Sequence, residues 1–440
     1  MSNFITRQIQ ITKITHNIQG LIYAIDTPRN EEVRIFNSSM LKVSGWVLFD
    51  NKPVDVIICS AETESNHSCQ IIRNDVISLL KRDADAKCGF IIPITNPVDF
   101  KIGFKIHGVV VWVADIKIKL ASKVLFGRDG YLFLDNDTNK SVEQYIGKEL
   151  MSKECLSLWQ EYFIKLDSAS KKLNFKYVFT LAPAKELVYP TLYPYIKSSI
   201  TPVEQFLIGC DGNNIFYPLN ELREVGESSY WKLDTHWTDY GAGIVVNSIL
   251  KSFDIENKNP FPFPFNIKKL NGDLGSKLPK LTVQDIMIAD FSASKKMRVF
   301  DNKIINRGWI QVYENKKSPN QEKVIVFGDS FSVNMIPYLV NTFGKVIHVL
   351  SGARIDYELV NYEKPDYVIC EITTRFLIQS PDIDYSVSDD CDRKIESMTL
   401  SERASYIKGL ISEQNKDSEY EFYLNKTLGN SEKEVTYNAV

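Results

Sequence analysis

Ser330, in the tetrapeptide Gly328-Asp329-Ser330-Phe331, follows five residues, Lys323 to Phe327, that are mostly β-branched or aromatic, and it precedes an apolar segment. This pattern predicts a buried parallel strand that breaks at Gly328-Asp329-Ser330 and gives way to a helix, with Ser330 at the strand's carboxyl end. In an open α/β sheet that crevice is where reacting groups collect. A serine hydroxyl there can serve as a nucleophile and carry an acyl group, provided a base takes its proton. The same residue types also suit a helix-initiating turn capped by Asp329 or Ser330.

The base has few candidates, because the chain holds five histidines: His16, His67, His107, His236 and His348. The first three lie in a β-rich first third. His348 sits inside the apolar run Val346 to Leu350, where a buried neutral imidazole is expected. His236 is left. Asp234 stands two positions before it in Asp234-Thr235-His236-Trp237. On a strand, i and i+2 share a face. In a loop the same spacing brings the carboxylate onto the imidazole, where it fixes the tautomer and stabilises the imidazolium.

The elements that must position these residues read as alternating strands and helices. Helical spacing runs from Val142 to Leu173 through Tyr145, Leu150, Leu156, Trp159, Phe163 and Leu166. Lys176 to Leu181 then reads as a buried strand. After Ser330 a helix is expected to about Phe343, then a strand Lys345 to Leu350, a loop Ser351-Gly352-Ala353-Arg354, and a strand Asp366 to Ile372. Such alternation argues for a parallel sheet. Residues 256–320 resist this reading, apart from an edge strand expected within Met297 to Ile305. The proline-rich Asn259 to Phe265 must be a rigid extended loop.

The first 120 residues differ. Short runs such as Val54 to Cys59, Phe90 to Ile94 and Phe100 to Ile106 are separated by turn residues, and several alternate polar with apolar. They predict an antiparallel β-sandwich or jelly-roll-like domain, a type that binds glycans or serves as a docking surface. The expected organisation is therefore α/β overall. It comprises a β-domain over 1–120, a three-layer α/β/α domain with a parallel sheet over 121–381, and a polar C-terminal tail over 382–440 with one amphipathic helix, Leu400 to Ile411.

Composition sets bounds on function. With 440 residues, 44% hydrophobic and 24% charged, the chain has the make-up of a globular protein. A net charge of -3 and a sequence pI near 6.1 give no general attraction to nucleic acid. Seven scattered cysteines, none in C-x-x-C spacing, indicate neither a disulfide frame nor a metal site. No window has the continuous apolar length of a transmembrane segment, and the N-terminal stretch lacks the apolar core of a secretory signal. The expectation is a cytoplasmic protein whose membrane association, if any, runs through partners.

Several motifs recur in an order that carries a resemblance. They are Gly127-Arg128-Asp129-Gly130-Tyr131, Ala182-Pro183-Ala184-Lys185, Asp234-Thr235-His236-Trp237 with Gly241-Ala242, Gly272-Asp273-Leu274, Gly328-Asp329-Ser330-Phe331, and Lys364-Pro365-Asp366 to Arg375-Phe376-Leu377. From roughly 122 to 380 the chain resembles the alginate O-acetyltransferase-like branch of the SGNH hydrolase superfamily, the AlgX/AlgJ type. The resemblance implies Ser330 as nucleophile, His236 as general base and then acid, and Asp234 as its orienter. It also implies transfer of an acetyl group to a sugar hydroxyl of a polysaccharide or glycan precursor.

Two departures matter. Relatives of this type act after export and this chain shows no export signal, which points to acetyl-CoA or an acetylated carrier as co-substrate, with no bound cofactor. The asparagine block that supplies an oxyanion donor in many SGNH esterases is replaced by Glu371-Ile372-Thr373-Thr374-Arg375. The Ser330 N–H, helped by Gly352 or Arg375, is then expected to hold the oxyanion, each donor being worth about 3 kcal/mol. Trp237, Arg354 and Lys185 are further substrate-contact candidates, against packing for the first and solvated or ion-paired roles for the others. The competing readings are a carbohydrate acetylesterase using the same residues and a non-catalytic glycan-binding scaffold. Expected partners are the glycan itself and glycan-assembly or membrane acyl-transfer proteins.

Overall fold

The computed structural model describes residues 4–16, 18–29, 31–36, 41–61, 63–81, 83–94, 98–120, 124–278, 280–414 and 420–429. The chain is mixed α/β with several sheets and falls into two compact units, Met1–Val124 with Leu270–Val283, and Leu125–Lys269 with Gln284–Val440. The boundary expected at 120/121 adjoins 121–123, which lie outside the described residues.

The first unit contains two antiparallel sheets. One has six strands in the order Glu31–Phe36, Phe4–Lys13, Val109–Leu120, Phe100–Ile106, Asp55–Ser60 and Glu64–His67. The other joins Leu21–Thr27, Leu41–Phe49 and Gly89–Ile94. Alternate residues of Leu41–Phe49 point inward, and Val43 and Val47 share a core with Phe90, Ile102 and Phe104. The period-2 alternation of the sequence is the direct cause, since one face of each strand is apolar.

The second unit is built on a seven-stranded sheet, in the order Ile215–Phe216, Lys176–Ala182, Tyr367–Thr373, Asn320–Gly328, Phe343–Leu350, Ile310–Glu314 and Arg298–Asp301. The first five strands are parallel; Ile310–Glu314 pairs antiparallel with Phe343–Leu350, and Arg298–Asp301 pairs antiparallel with Ile310–Glu314 at the edge. All seven residues of Tyr367–Thr373 are buried, as are the last five of Asn320–Gly328. That is why these strands read as continuous apolar runs rather than alternating ones. Register brings Gly328 level with Leu350, and Ala182 level with Thr373. The segments that follow, 183–185, 329–330, 351–354 and 374–375, therefore emerge along one edge of the sheet.

The helical run from Val142 is two helices, Ser141–Tyr145 and Lys153–Leu173, with Ser152 capping the second by accepting from the Cys155 N–H. Gly147 sits at φ +73° between them, a conformation that no continuing helix allows. The long helix buries Trp159, Phe163 and Leu166, and Trp159 meets Phe179 and Phe206 edge to face. Beyond the expected helix at Leu400, which runs Leu400–Gln414, residues after 382 carry two more, Val387–Glu396 and Glu421–Leu428. The last is docked through fully buried Tyr423 and through Lys426, whose Nζ lies 3.0 Å from Asp356 and 2.5 Å from Glu358. Few apolar residues and paired charges make this segment look like solvated tail in sequence. Among the described residues, no helix is long and apolar enough to cross a membrane.

Candidate active site

The Asn320–Gly328 strand ends in a turn held from below. Asp329 donates its N–H to Glu371 Oε2 at 2.9 Å, while its own carboxylate accepts from Phe331 N–H at 2.8 Å and from Thr373 N–H and Oγ1 at 2.8 and 2.6 Å. Asp329 thus knots the serine turn to the neighbouring strand. Complete burial, with Asp329 beside it, holds the Glu371 carboxyl well above its ordinary range. Its sequence signal is an acid inside the apolar run Val368-Ile369-Cys370-Glu371-Ile372.

Gly328 is required by contact. A Cβ there would stand 2.3 Å from Ser332 Cβ and Oγ and 3.0 Å from Glu371 Oε2. Gly328→Ala is expected to cost about 3 kcal/mol through overpacking and to displace Ser330. A thermal unfolding midpoint equal to wild type would contradict this.

The Asp234–His236 segment lies in a loop closed by a bridge between Tyr230 and Trp237. Thr238 then caps the helix Asp239–Ser252, accepting from Gly241 N–H at 2.9 Å. One oxygen of Asp234 does two things. Asp234 Oδ1 accepts from the His236 backbone N–H at 2.9 Å, which closes the local turn, and lies 2.7 Å from His236 Nδ1. On the other side of the ring, His236 Nε2 lies 2.8 Å from Ser330 Oγ. Asp234 is buried and the His236 side chain is 22% exposed, so the chain of three groups opens outward at the serine end.

A second tie runs parallel to this one. The Trp237 indole N–H donates to the Phe331 carbonyl at 3.0 Å, and the Phe331 ring packs 4.9 Å from the His236 ring. Each of the two links spans 94 positions in sequence. Trp237 is fully buried, so it packs behind the site and does not line a cleft.

Lys185 follows the Lys176–Ala182 strand and is 3% exposed. Its ammonium donates to the carbonyls of Trp231 and Lys232 at 3.1 Å and of Asp234 at 2.6 Å. It is a positioning residue for the Asp234 loop, placed where a substrate contact was a candidate. Lys185→Met leaves those carbonyls without that donor, at about 1 to 3 kcal/mol for each one left unsatisfied. The expected result is a lower unfolding midpoint together with slower turnover; an unchanged midpoint would show that the loop holds itself.

The remaining expectations divide. Arg354 lines a cavity of about 160 Å³ with Ser330, Asp329, Asn306, Arg307 and Gly352. Gly352 reaches that cavity, but its N–H, expected to help hold an oxyanion, already donates to the Gly328 carbonyl at 2.8 Å. Arg375 falls outside it, in a small adjacent cavity with Glu186, Thr235 and Phe331, its guanidinium over the Phe376 ring. The Ser330 N–H makes no hydrogen bond to the described residues. Arg307 and Asn306 had no sequence signal, since they lie in the stretch whose pattern was unreadable.

His348 is fully buried, and burial lowers its pKa to about 3. Its Nε2 lies 2.8 Å from Ser332 Oγ, which in turn donates to the Asp329 carbonyl at 2.6 Å. This pair supports the floor of the turn and does not reach the cavity.

No protein-family model matches the chain, and no curated protein does. Among solved structures the chain is similar to PatB1 of Bacillus cereus carrying a sulfonyl adduct, with 14% identity and a TM-score of 0.46 over 59% of this chain and 98% of that one. It is similar to the O-acetyltransferase domain of Pseudomonas putida AlgJ, with 18% identity and a TM-score of 0.39 over 64% and 98% of the two chains. It is also similar to Pseudomonas aeruginosa AlgX, with 15% identity and a TM-score of 0.34 over 58% and 65%.

Proposed function

We propose that this chain is a serine O-acetyltransferase of SGNH type, moving an acetyl group onto a sugar hydroxyl of a polysaccharide or glycan precursor. The observation that carries the reading is the chain Asp234 Oδ1, His236 Nδ1, His236 Nε2 and Ser330 Oγ, with links of 2.7 and 2.8 Å. It opens on a cavity large enough for an acetyl group and too small to enclose a polysaccharide.

In the first half-reaction His236 Nε2 takes the Ser330 proton as Oγ attacks the acetyl carbonyl. Asp234 holds the imidazolium, and the Ser330 N–H donates to the oxyanion. Collapse breaks the bond to the leaving group, which takes the proton from His236. In the second half-reaction the sugar hydroxyl gives its proton to the same nitrogen and attacks the acetyl-serine; breakage of the Oγ–acetyl bond returns the proton to Ser330. Acetyl-CoA or an acetylated carrier is the proposed donor.

The test is incubation of purified protein with p-nitrophenyl acetate and an oligosaccharide, with products weighed by mass spectrometry. Acetylated oligosaccharide supports transfer, whereas acetate alone marks an acetylesterase. No acetyl release sinks both and leaves a glycan-binding scaffold.

A further inference from the structure

Two cations share the cavity with Ser330. Arg307 and Arg354 both line it, and Arg307 Nη2 stands 3.7 Å from where a Cβ would sit on Gly352, in the loop that carries Arg354. Among the described residues neither guanidinium has a carboxylate within ion-pairing distance, and no side-chain hydrogen bond holds either one. Asp390, the acid with the largest effect on Arg354, is already held by Arg393 and Tyr385. Burial, and then repulsion from Arg307, lower the pKa of Arg354. Two like charges held together beside a nucleophile are a cost unless an anion joins them.

We infer that Arg307 and Arg354 form a phosphate subsite beside Ser330, and that the acetyl group passes to or from a phosphorylated small molecule. Charge selects phosphate over carboxylate. A phosphate monoester carries close to two negative charges at pH 7 and offers three acceptor oxygens, whereas a carboxylate neutralises one guanidinium and leaves the other. The cavity is small, so the phosphate lies close to the reacting atoms. Two sources fit. In a sugar phosphate, the acceptor hydroxyl forms the new ester and the phosphate is untouched. In an acetyl phosphate, Ser330 Oγ bonds the carbonyl carbon, the carbon to phosphate-oxygen bond breaks, and inorganic phosphate leaves.

The role of the phosphate in turnover rests on the acetyl-serine reading, but the subsite can be measured without it. Full-length Ser330→Ala protein would be titrated calorimetrically with glucose 1-phosphate, acetyl phosphate, glucuronate and glucose. At least one phosphorylated probe is expected to bind about tenfold more tightly than glucuronate and glucose. A preference for glucose 1-phosphate assigns the phosphate to the acceptor, and a preference for acetyl phosphate assigns it to the donor. Arg307→Gln and Arg354→Gln, each made in that background, should weaken binding about tenfold, with Arg307→Lys recovering part by keeping the charge. Equal binding of glucuronate, or indifference to both arginine substitutions, would overturn the subsite. Should Arg354→Gln not fold, the partly exposed Arg307 carries the comparison. Phosphate binding by Ser330→Ala together with no acetyl adduct on the wild-type protein would refute the acetyl-serine reading alone.

Discussion

Ser330→Ala is expected to reduce acetyl transfer by about 10⁵-fold while the protein keeps its fold. The size follows from what the side chain does in the proposed reaction. Its Oγ is the atom that would carry the acetyl group, and the neighbouring hydroxyls face elsewhere: Ser332 faces His348 beneath the turn, and Thr235 Oγ1 lies 3.4 Å from the opposite ring nitrogen. The fold should survive because Ser330 contributes one side-chain hydrogen bond, worth about 1 kcal/mol, and is not fully buried. The decisive measurement is the acetyl adduct on intact protein after brief exposure to p-nitrophenyl acetate. Wild type should carry it and Ser330→Ala should not. Equal adduct on both proteins would mean that the reactive group is elsewhere and that the Asp234–His236–Ser330 geometry is structural.

The parts of this site that could be read in sequence are those whose chemistry is local. A strand that stops at Gly328-Asp329-Ser330 is a matter of neighbouring residue types, and Asp234 reaches His236 across one residue by closing its own turn. The strands at Lys176, Asn320, Phe343 and Tyr367 were legible for the same reason, because burial on both faces forces continuous apolar runs. What could not be read depends on distant polar groups that have already found partners. Gly352 follows a strand end, as an oxyanion donor would, but its N–H turns back to Gly328. Lys185 sits next to the site, yet its amine faces three carbonyls of residues 231–234. Trp237 adjoins the base, and its indole N–H is committed to Phe331. Arg307 is the reverse case, brought to the cavity from a region with no periodicity to place it. The break at Gly147 and the docked helix at Glu421 escaped because one positive φ and a few buried ion pairs leave no periodic trace.

Acid should destabilise this domain through His348. The imidazole is fully buried against Ser332, and in the folded protein it gains its proton only near pH 3, against about 6.5 when unfolded. Between those values the unfolded chain binds a proton that the folded one refuses. The stabilisation is therefore complete above pH 6.5 and is lost as pH falls towards 3. At about 1.4 kcal/mol per pH unit the loss over this window is on the order of 5 kcal/mol, enough to matter against a typical domain stability. Because Ser332 donates its proton to the Asp329 carbonyl, His348 must present Nε2–H to Ser332, leaving Nδ1 as the nitrogen that would accept the new proton, with no partner among the described residues. His348→Gln can still present an N–H to Ser332 but cannot titrate. Its unfolding midpoint should fall less steeply than that of wild type between pH 6.5 and 4, with the two curves separating progressively as acid is added. Parallel curves would mean that His348 is not the group coupling folding to acid. A variant that keeps its acid stability but loses acetyl transfer at pH 7 would instead show that the Ser332–His348 pair, through the Asp329 carbonyl, helps to hold Ser330 in line with His236.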